Sequence, residues 1–85
     1  MQLSDITVKC KDGLHARDAA IFIQQANKFK SNILITKGNA TVNAKSIMGV
    51  MALSVAQGDN IKLRAEGSDE TEAVKVLSRL LAAEE

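Results

Sequence analysis

Eighty-five residues give one small domain's worth of chain, and 46% hydrophobic with 25% charged residues is an ordinary globular balance, which excludes disorder and a lipid-embedded composition. Eleven Lys and Arg against ten Asp and Glu leave a net charge of +1, and Phe22 and Phe29 are the only aromatic residues, so neither the charge nor the stacking surface for nucleic-acid binding is present. A single cysteine, Cys10, and a single histidine, His15, exclude an intrachain disulfide and a four-ligand Cys/His zinc site.

Asp5 to Cys10 alternate, with Ile6, Val8 and Cys10 on one side and Thr7 and Lys9 on the other, and the period of two predicts a first strand with one buried face. Cys10 reads as a small core residue of that strand. Lys11-Asp12-Gly13 ends it. From Ala16 to about Phe29, the residues Ala19, Ala20, Phe22, Ile23, Ala26 and Phe29 recur at three and four, which predicts an amphipathic helix. Lys28 and Lys30 are expected in its last turn, where positive charge suits the unpaired carbonyls. Asn32 to Thr36 is a β-branched run, Lys37-Gly38-Asn39 a turn, and Ala40 to Asn43 a returning strand.

Ile47-Met48-Gly49-Val50-Met51-Ala52-Leu53 is apolar almost all round and contains a glycine that costs about 1 kcal/mol of helix propensity relative to alanine. A short helix held by tertiary contacts is the expectation. After the turn Gln57-Gly58-Asp59-Asn60, the alternation of Ile61 to Ala65 predicts a fourth strand. Gly67-Ser68-Asp69 opens a last helix, with Asp69 and Glu72 spaced as a capping-box pair and Ala73, Val76, Leu77, Leu80 and Leu81 as its buried stripe. Glu84-Glu85 reads as a solvated tail.

The resulting order, β-α-β-β-α-β-α, closes as an α+β, open-faced two-layer sandwich: a mainly antiparallel four-stranded sheet with helices on one face. Thr7, Lys9, Lys62 and Arg64 suit the solvated face. Residues 1–85 are read as one domain. With no signal peptide and no apolar run long enough to span a bilayer, a cytoplasmic, soluble protein is expected.

His15 is the one side chain suited to proton or group transfer near neutral pH. It stands in Gly13-Leu14-His15-Ala16-Arg17, between a strand and a helix start, where unpaired amides and partial positive charge favour an anion. A phosphoryl group on the imidazole would meet those amides and the Arg17 guanidinium, and the small Ala16 lets it approach the main chain. The plainer alternative is an exposed loop histidine beside a solvated arginine. With no second histidine, no Asp-His-Ser arrangement and no clustered carboxylates, a self-contained hydrolase is unsupported, and no cofactor or metal is implied.

Ser46 precedes the short helix and suits its N-cap; it also suits a phosphate at a helix start beside Lys45. A short helix buries one face only, so some of Ile47, Met48 and Met51 must face outward as an adaptable docking patch, with core packing the alternative for each.

Taken together, Gly13-Leu14-His15-Ala16-Arg17 and Lys45-Ser46-Ile47-Met48-Gly49-Val50-Met51 resemble the HPr family of histidine-containing phosphocarriers of the bacterial phosphoenolpyruvate-dependent sugar phosphotransferase system. The likeness runs from about Leu3 to Glu84, and the serine segment is most similar to the Gram-positive type and its regulatory paralogue Crh. The resemblance implies strand order 1-4-2-3. It implies a phosphoryl group taken onto Nδ1 of His15 from enzyme I and passed to sugar-specific IIA proteins, with Arg17 as the cationic partner. It further implies that HPr kinase/phosphorylase modifies Ser46, and that the product binds a catabolite-control transcription factor as corepressor. Ile47, Met48 and Met51 would form the shared docking surface beside His15.

Such a protein is a carrier rather than an enzyme and works without a cofactor, direct nucleic-acid contact or membrane insertion; a monomer is the default. The family pattern continues His-Ala-Arg with proline, where this chain has Asp18, a carboxylate expected to shorten the life of a phosphate on His15 or to tune its partners. A Crh-like module acting through Ser46 alone is the competing reading, although Crh lacks the active histidine. An RNA-binding domain would need exposed aromatics or a basic face, which this sequence does not supply.

Overall fold

In the computed structural model, residues 1–9 and 16–82 are described. The elements follow the expected order: β1 (Gln2–Thr7), α1 (Ala16–Asn27), β2 (Asn32–Lys37), β3 (Ala40–Asn43), α2 (Ile47–Ala52), β4 (Asn60–Glu66) and α3 (Glu70–Ala82). Their sheet runs β1-β4-β2-β3, every neighbouring pair antiparallel. The register sets Ile6 against Ile61, Ser4 and Ile35 against Leu63, and Gln2 and Ile33 against Ala65, so the buried face of β4 meets apolar partners on β2 and, on β1, apolar Ile6 at one end. The strict alternation of burial along β4 is the period of two made visible.

Phe22, Ala19 and Ala26 of α1, with Ala73, Leu77 and Leu81 of α3, cover that face and complete one continuous core with Val8, Val50, Leu53 and Val55. The other face carries exposed Leu3, Asp5, Thr7, Lys62 and Arg64, and no helix among the described residues lies against it. Gly38 opens the two-residue β2–β3 turn at φ +60, a backbone angle that a type II′ hairpin turn requires at its first position.

Several boundaries differ from expectation for identifiable reasons. β1 starts at Gln2 rather than Asp5, because pairing with β4 organises residues whose own pattern is too polar to announce a strand. It ends at Thr7, although Val8 stays buried and exchanges bonds with the loop before β4: Val8 N–H to the Asp59 carbonyl and Gly58 N–H to the Val8 carbonyl, both 2.8 Å. Cys10 and the tail Glu84-Glu85 lie outside the described residues.

α1 stops at Asn27, followed by tighter i→i−3 bonds from Lys28 N–H to Gln25 and Phe29 N–H to Ala26. Lys28 and Lys30 therefore stand past the helix. The ammonium that meets its end comes from elsewhere: Lys45 Nζ donates to the Phe29 carbonyl at 2.7 Å. Ala20 is exposed rather than part of the buried stripe.

At the start of α3 the capping-box pairing is replaced. The Asp69 carboxylate turns across to β2's entry and accepts from Lys30 N–H, Ser31 N–H and the Ser31 hydroxyl, while Glu70 reaches back to Gly67 N–H. On that helix Val74, not Val76, packs against the core beside Leu80.

Candidate functional site

α1 and α2 pack on one another in the helical layer, with the end of α1 bonded to the entry of α2. α1 begins at Ala16, immediately after His15 in the chain. A helix start concentrates unpaired N–H groups and partial positive charge, and Asp18 places a carboxylate in this first turn. His15 lies outside the described residues, as do the side chains of Ala16 and Arg17.

The serine segment is fully described. Ser46 has the extended backbone of an N-cap (φ −96, ψ 117), and its Oγ accepts from Gly49 N–H at 3.2 Å. Gly49 allows this close arrangement: a Cβ there would stand 3.2 Å from Val42 Cβ and 3.4 Å from the Ser46 Cβ and Oγ. The helix therefore lies tightly on β3, and Val50 and Leu53 anchor it to the core. The remaining large side chains turn outward, Met48 with 81% of its surface exposed, Ile47 57% and Met51 42%. The short helix requires only some of the three outside; all three face outward, and the core alternative fails for each.

Lys45 is not the spare cation that its position beside Ser46 implied. Its ammonium is held at the Phe29 carbonyl, and its own carbonyl accepts from Asn27 Nδ2 at 3.4 Å, which also donates to the Ile23 carbonyl at 2.9 Å. Asn43 Oδ1 accepts from Lys45 N–H at 2.8 Å. These bonds fasten the end of α1 to the entry of α2. Sequence reading missed the link, because no local pattern announces a bond between a helix-end asparagine and a residue 18 positions away.

It also missed Ile21, 37% exposed on α1. A signal was available: Ala20-Ile21-Phe22-Ile23 is a longer apolar run than one helical face can bury.

The resolved electrostatic shifts belong to clamps elsewhere. The Ser31 hydroxyl and the Lys30 amide hold Asp69 below the usual carboxylate range. The chain's amino terminus, 2.6 Å away, does the same for Glu70 with help from Gly67 N–H. Lys37, 2.9 Å from Asp59, lowers that carboxylate together with Ala56 N–H. Among the described residues no group of three His, Cys, Asp or Glu is placed to hold a metal ion, and no helix is long and apolar enough to cross a membrane. Phe22 is buried and Phe29 half-buried, so neither ring offers an exposed stacking platform.

A family model described as the HPr component phosphorylation site of the phosphotransferase system matches residues 4–83. The chain is 53% identical over 72 residues to the HPr-like protein Crh of Halalkalibacterium halodurans, covering 85% of this chain and 86% of that one. It is 44% identical over 81 residues to the phosphocarrier protein HPr of Neisseria meningitidis serogroup A, covering 95% and 91%. Among solved structures, HPr-C-His from Thermoanaerobacter tengcongensis superposes with a TM-score of 0.92 at 56% identity, covering 95% of this chain and 91% of that one. An HPr dimer from the same organism superposes with a TM-score of 0.74 at 56% identity, covering 94% and 92%. A relative this similar forming a dimer removes the support for monomer as the default.

Proposed function

The chain belongs to the HPr family, and from that premise we propose that it carries a phosphoryl group on His15 from enzyme I to sugar-specific IIA proteins, with Ser46 as a regulatory phosphorylation site. The observation that carries this reading is the pairing of a 12-residue helix that starts directly after His15 with an exposed Ile47/Met48/Met51 patch on the helix packed beside it. The imidazole Nδ1 attacks the donor's phosphorus and the donor's bond to phosphorus breaks. Protonated imidazole is a good leaving group, so the phosphoramidate is readily passed on. Amides at the start of α1, that of Ala16 among them, and the Arg17 guanidinium offset the phosphate charge.

HPr proteins are carriers rather than catalysts, and the partners' active sites supply the chemistry. The work requires brief encounters, which a small, adaptable patch of thioether and aliphatic surface suits. Phosphate added to Ser46 by an HPr kinase/phosphorylase would stand within that patch, hindering enzyme I and marking the protein for a catabolite-control transcription factor. One domain acting in the cytoplasm, without cofactor, direct nucleic-acid contact or membrane insertion, suffices for this role.

A Crh-like regulator working through Ser46 alone is the second reading, favoured by the 53% identity to a Crh protein and by Asp18 in place of the family proline. Incubation with phosphoenolpyruvate and enzyme I separates the two. Acid-labile phosphate that disappears in His15→Ala and persists in Ser46→Ala establishes the carrier; no such phosphate on the unaltered chain leaves the regulator.

A further inference from the structure

We propose that Met48 and Met51 form an oxidation-sensitive switch, at which conversion of the two thioethers to sulfoxides by a hydroperoxide closes the docking patch to its partners. The inference rests on the proposed use of that patch for docking. Met48 is the most exposed large apolar side chain of the molecule's described residues, at 81%, and Met51 lies three positions on along the same short helix. Neither thioether belongs to the buried core, where Val50 and Leu53 seat the helix, and Ser46 caps its start. Oxidation therefore alters the surface and leaves the fold in place.

The chemistry is balanced. A sulfur lone pair attacks the terminal oxygen of the hydroperoxide, the O–O bond breaks and the S–O bond forms. Sulfur is oxidised by two electrons, and the departing oxygen takes up a proton to leave as water or an alcohol. A flexible apolar side chain becomes polar and chiral, which is incompatible with a dry contact built on thioether and aliphatic surface. Sulfoxide reductases, one for each epimer, reverse the change.

The test oxidises the full chain with hydrogen peroxide, reduces thiols afterwards so that Cys10 is restored, and locates each added oxygen by peptide mass. Affinity for enzyme I is then measured by calorimetry, with a circular-dichroism melt on each sample. The expected result is a roughly tenfold loss of affinity, the size associated with losing one interface anchor, with an unchanged melt and recovery after treatment with both reductases. In a Met48→Leu/Met51→Leu protein, which retains Met1 as an exposed oxidisable control, the ratio of oxidised to unoxidised affinity stays near one.

Equal affinity before and after oxidation of both residues overturns the switch and leaves the docking reading standing. Loss of affinity together with loss of the folded spectrum overturns it as well, since the effect would then be unfolding. No binding by the unoxidised protein removes the docking reading and the switch with it.

Discussion

Replacing Ser46 by alanine and by aspartate separates its two roles. The hydroxyl accepts the Gly49 amide at 3.2 Å from a backbone already in N-cap geometry. Alanine removes that acceptor and costs about 1 kcal/mol, whereas aspartate caps as well as serine and keeps stability within about 0.5 kcal/mol. In a domain of this size the alanine variant melts lower by about 4–8 °C.

For docking the ranking reverses. Alanine adds no charge to the surface around Ile47, Met48 and Met51, and binding to enzyme I stays near that of the unaltered protein. Aspartate introduces a charge that, about 8 Å from a partner carboxylate at an effective dielectric near 20, is opposed by about 2 kcal/mol. That corresponds to a roughly 30-fold loss of affinity, shrinking as salt is added. Urea denaturation and calorimetric titration with enzyme I read the two effects separately. An aspartate variant as unstable as the alanine one would refute the capping argument. An aspartate variant that binds enzyme I with undiminished affinity would refute the placement of Ser46 in the docking surface.

Asp18→Pro should lengthen the lifetime of a phosphate carried on His15, because a carboxylate would oppose each phosphate charge by roughly 3 kcal/mol at a separation of about 6 Å and an effective dielectric near 20, and by about 0.7 in water. Unchanged rates of phosphate uptake and hydrolysis would dispose of that role. Gly67→Ala should destabilise the fold by about 2–4 kcal/mol in urea titrations, since φ +155 strains an L-residue and its Cβ would stand 2.7 Å from the Ser31 Cα. Gly38→Ala, with open space around φ +60, should cost only about 1–2 kcal/mol; equal losses at the two positions would contradict the crowding at Ser31.

Asp59, Asp69 and Glu70 all titrate lower in the folded chain than in the unfolded one, so the folded state binds fewer protons in that range. Their contribution is complete above the unfolded values near 4 and is lost as the pH falls through the lowered folded values, so the melting temperature should drop below about pH 4. Asp69→Asn should flatten that slope, and an unaltered slope would exclude the Ser31 clamp as a contributor.

Alternation located β1 and β4 and three-four periodicity α1 and α3, because those patterns follow from which side of each element meets the core, while β2, β3 and α2 came from a β-branched run, a turn and an all-round apolar segment. Strand order entered through the family resemblance, and the outward Met48 and Met51 followed from a short helix having more apolar residues than one face can bury. What escaped were contacts made across long separations. Lys45 looked like a neighbour for a phosphate and is instead a donor to the end of α1. Asp69 looked like a local cap and instead binds residues 38 and 39 positions away. Local spacing carries no information about such partners. His15 and Arg17 were conspicuous as chemistry, being the lone histidine and an arginine two residues on.

The Lys45 and Asn27 bonds leave the chain no slack on its way into the serine helix. A bulky anion attached at Ser46 would meet a segment already tied to the end of α1. Were Ser46 phosphorylated as proposed, the change would be read at the surface itself, by a partner meeting an altered patch, without the fold first being loosened.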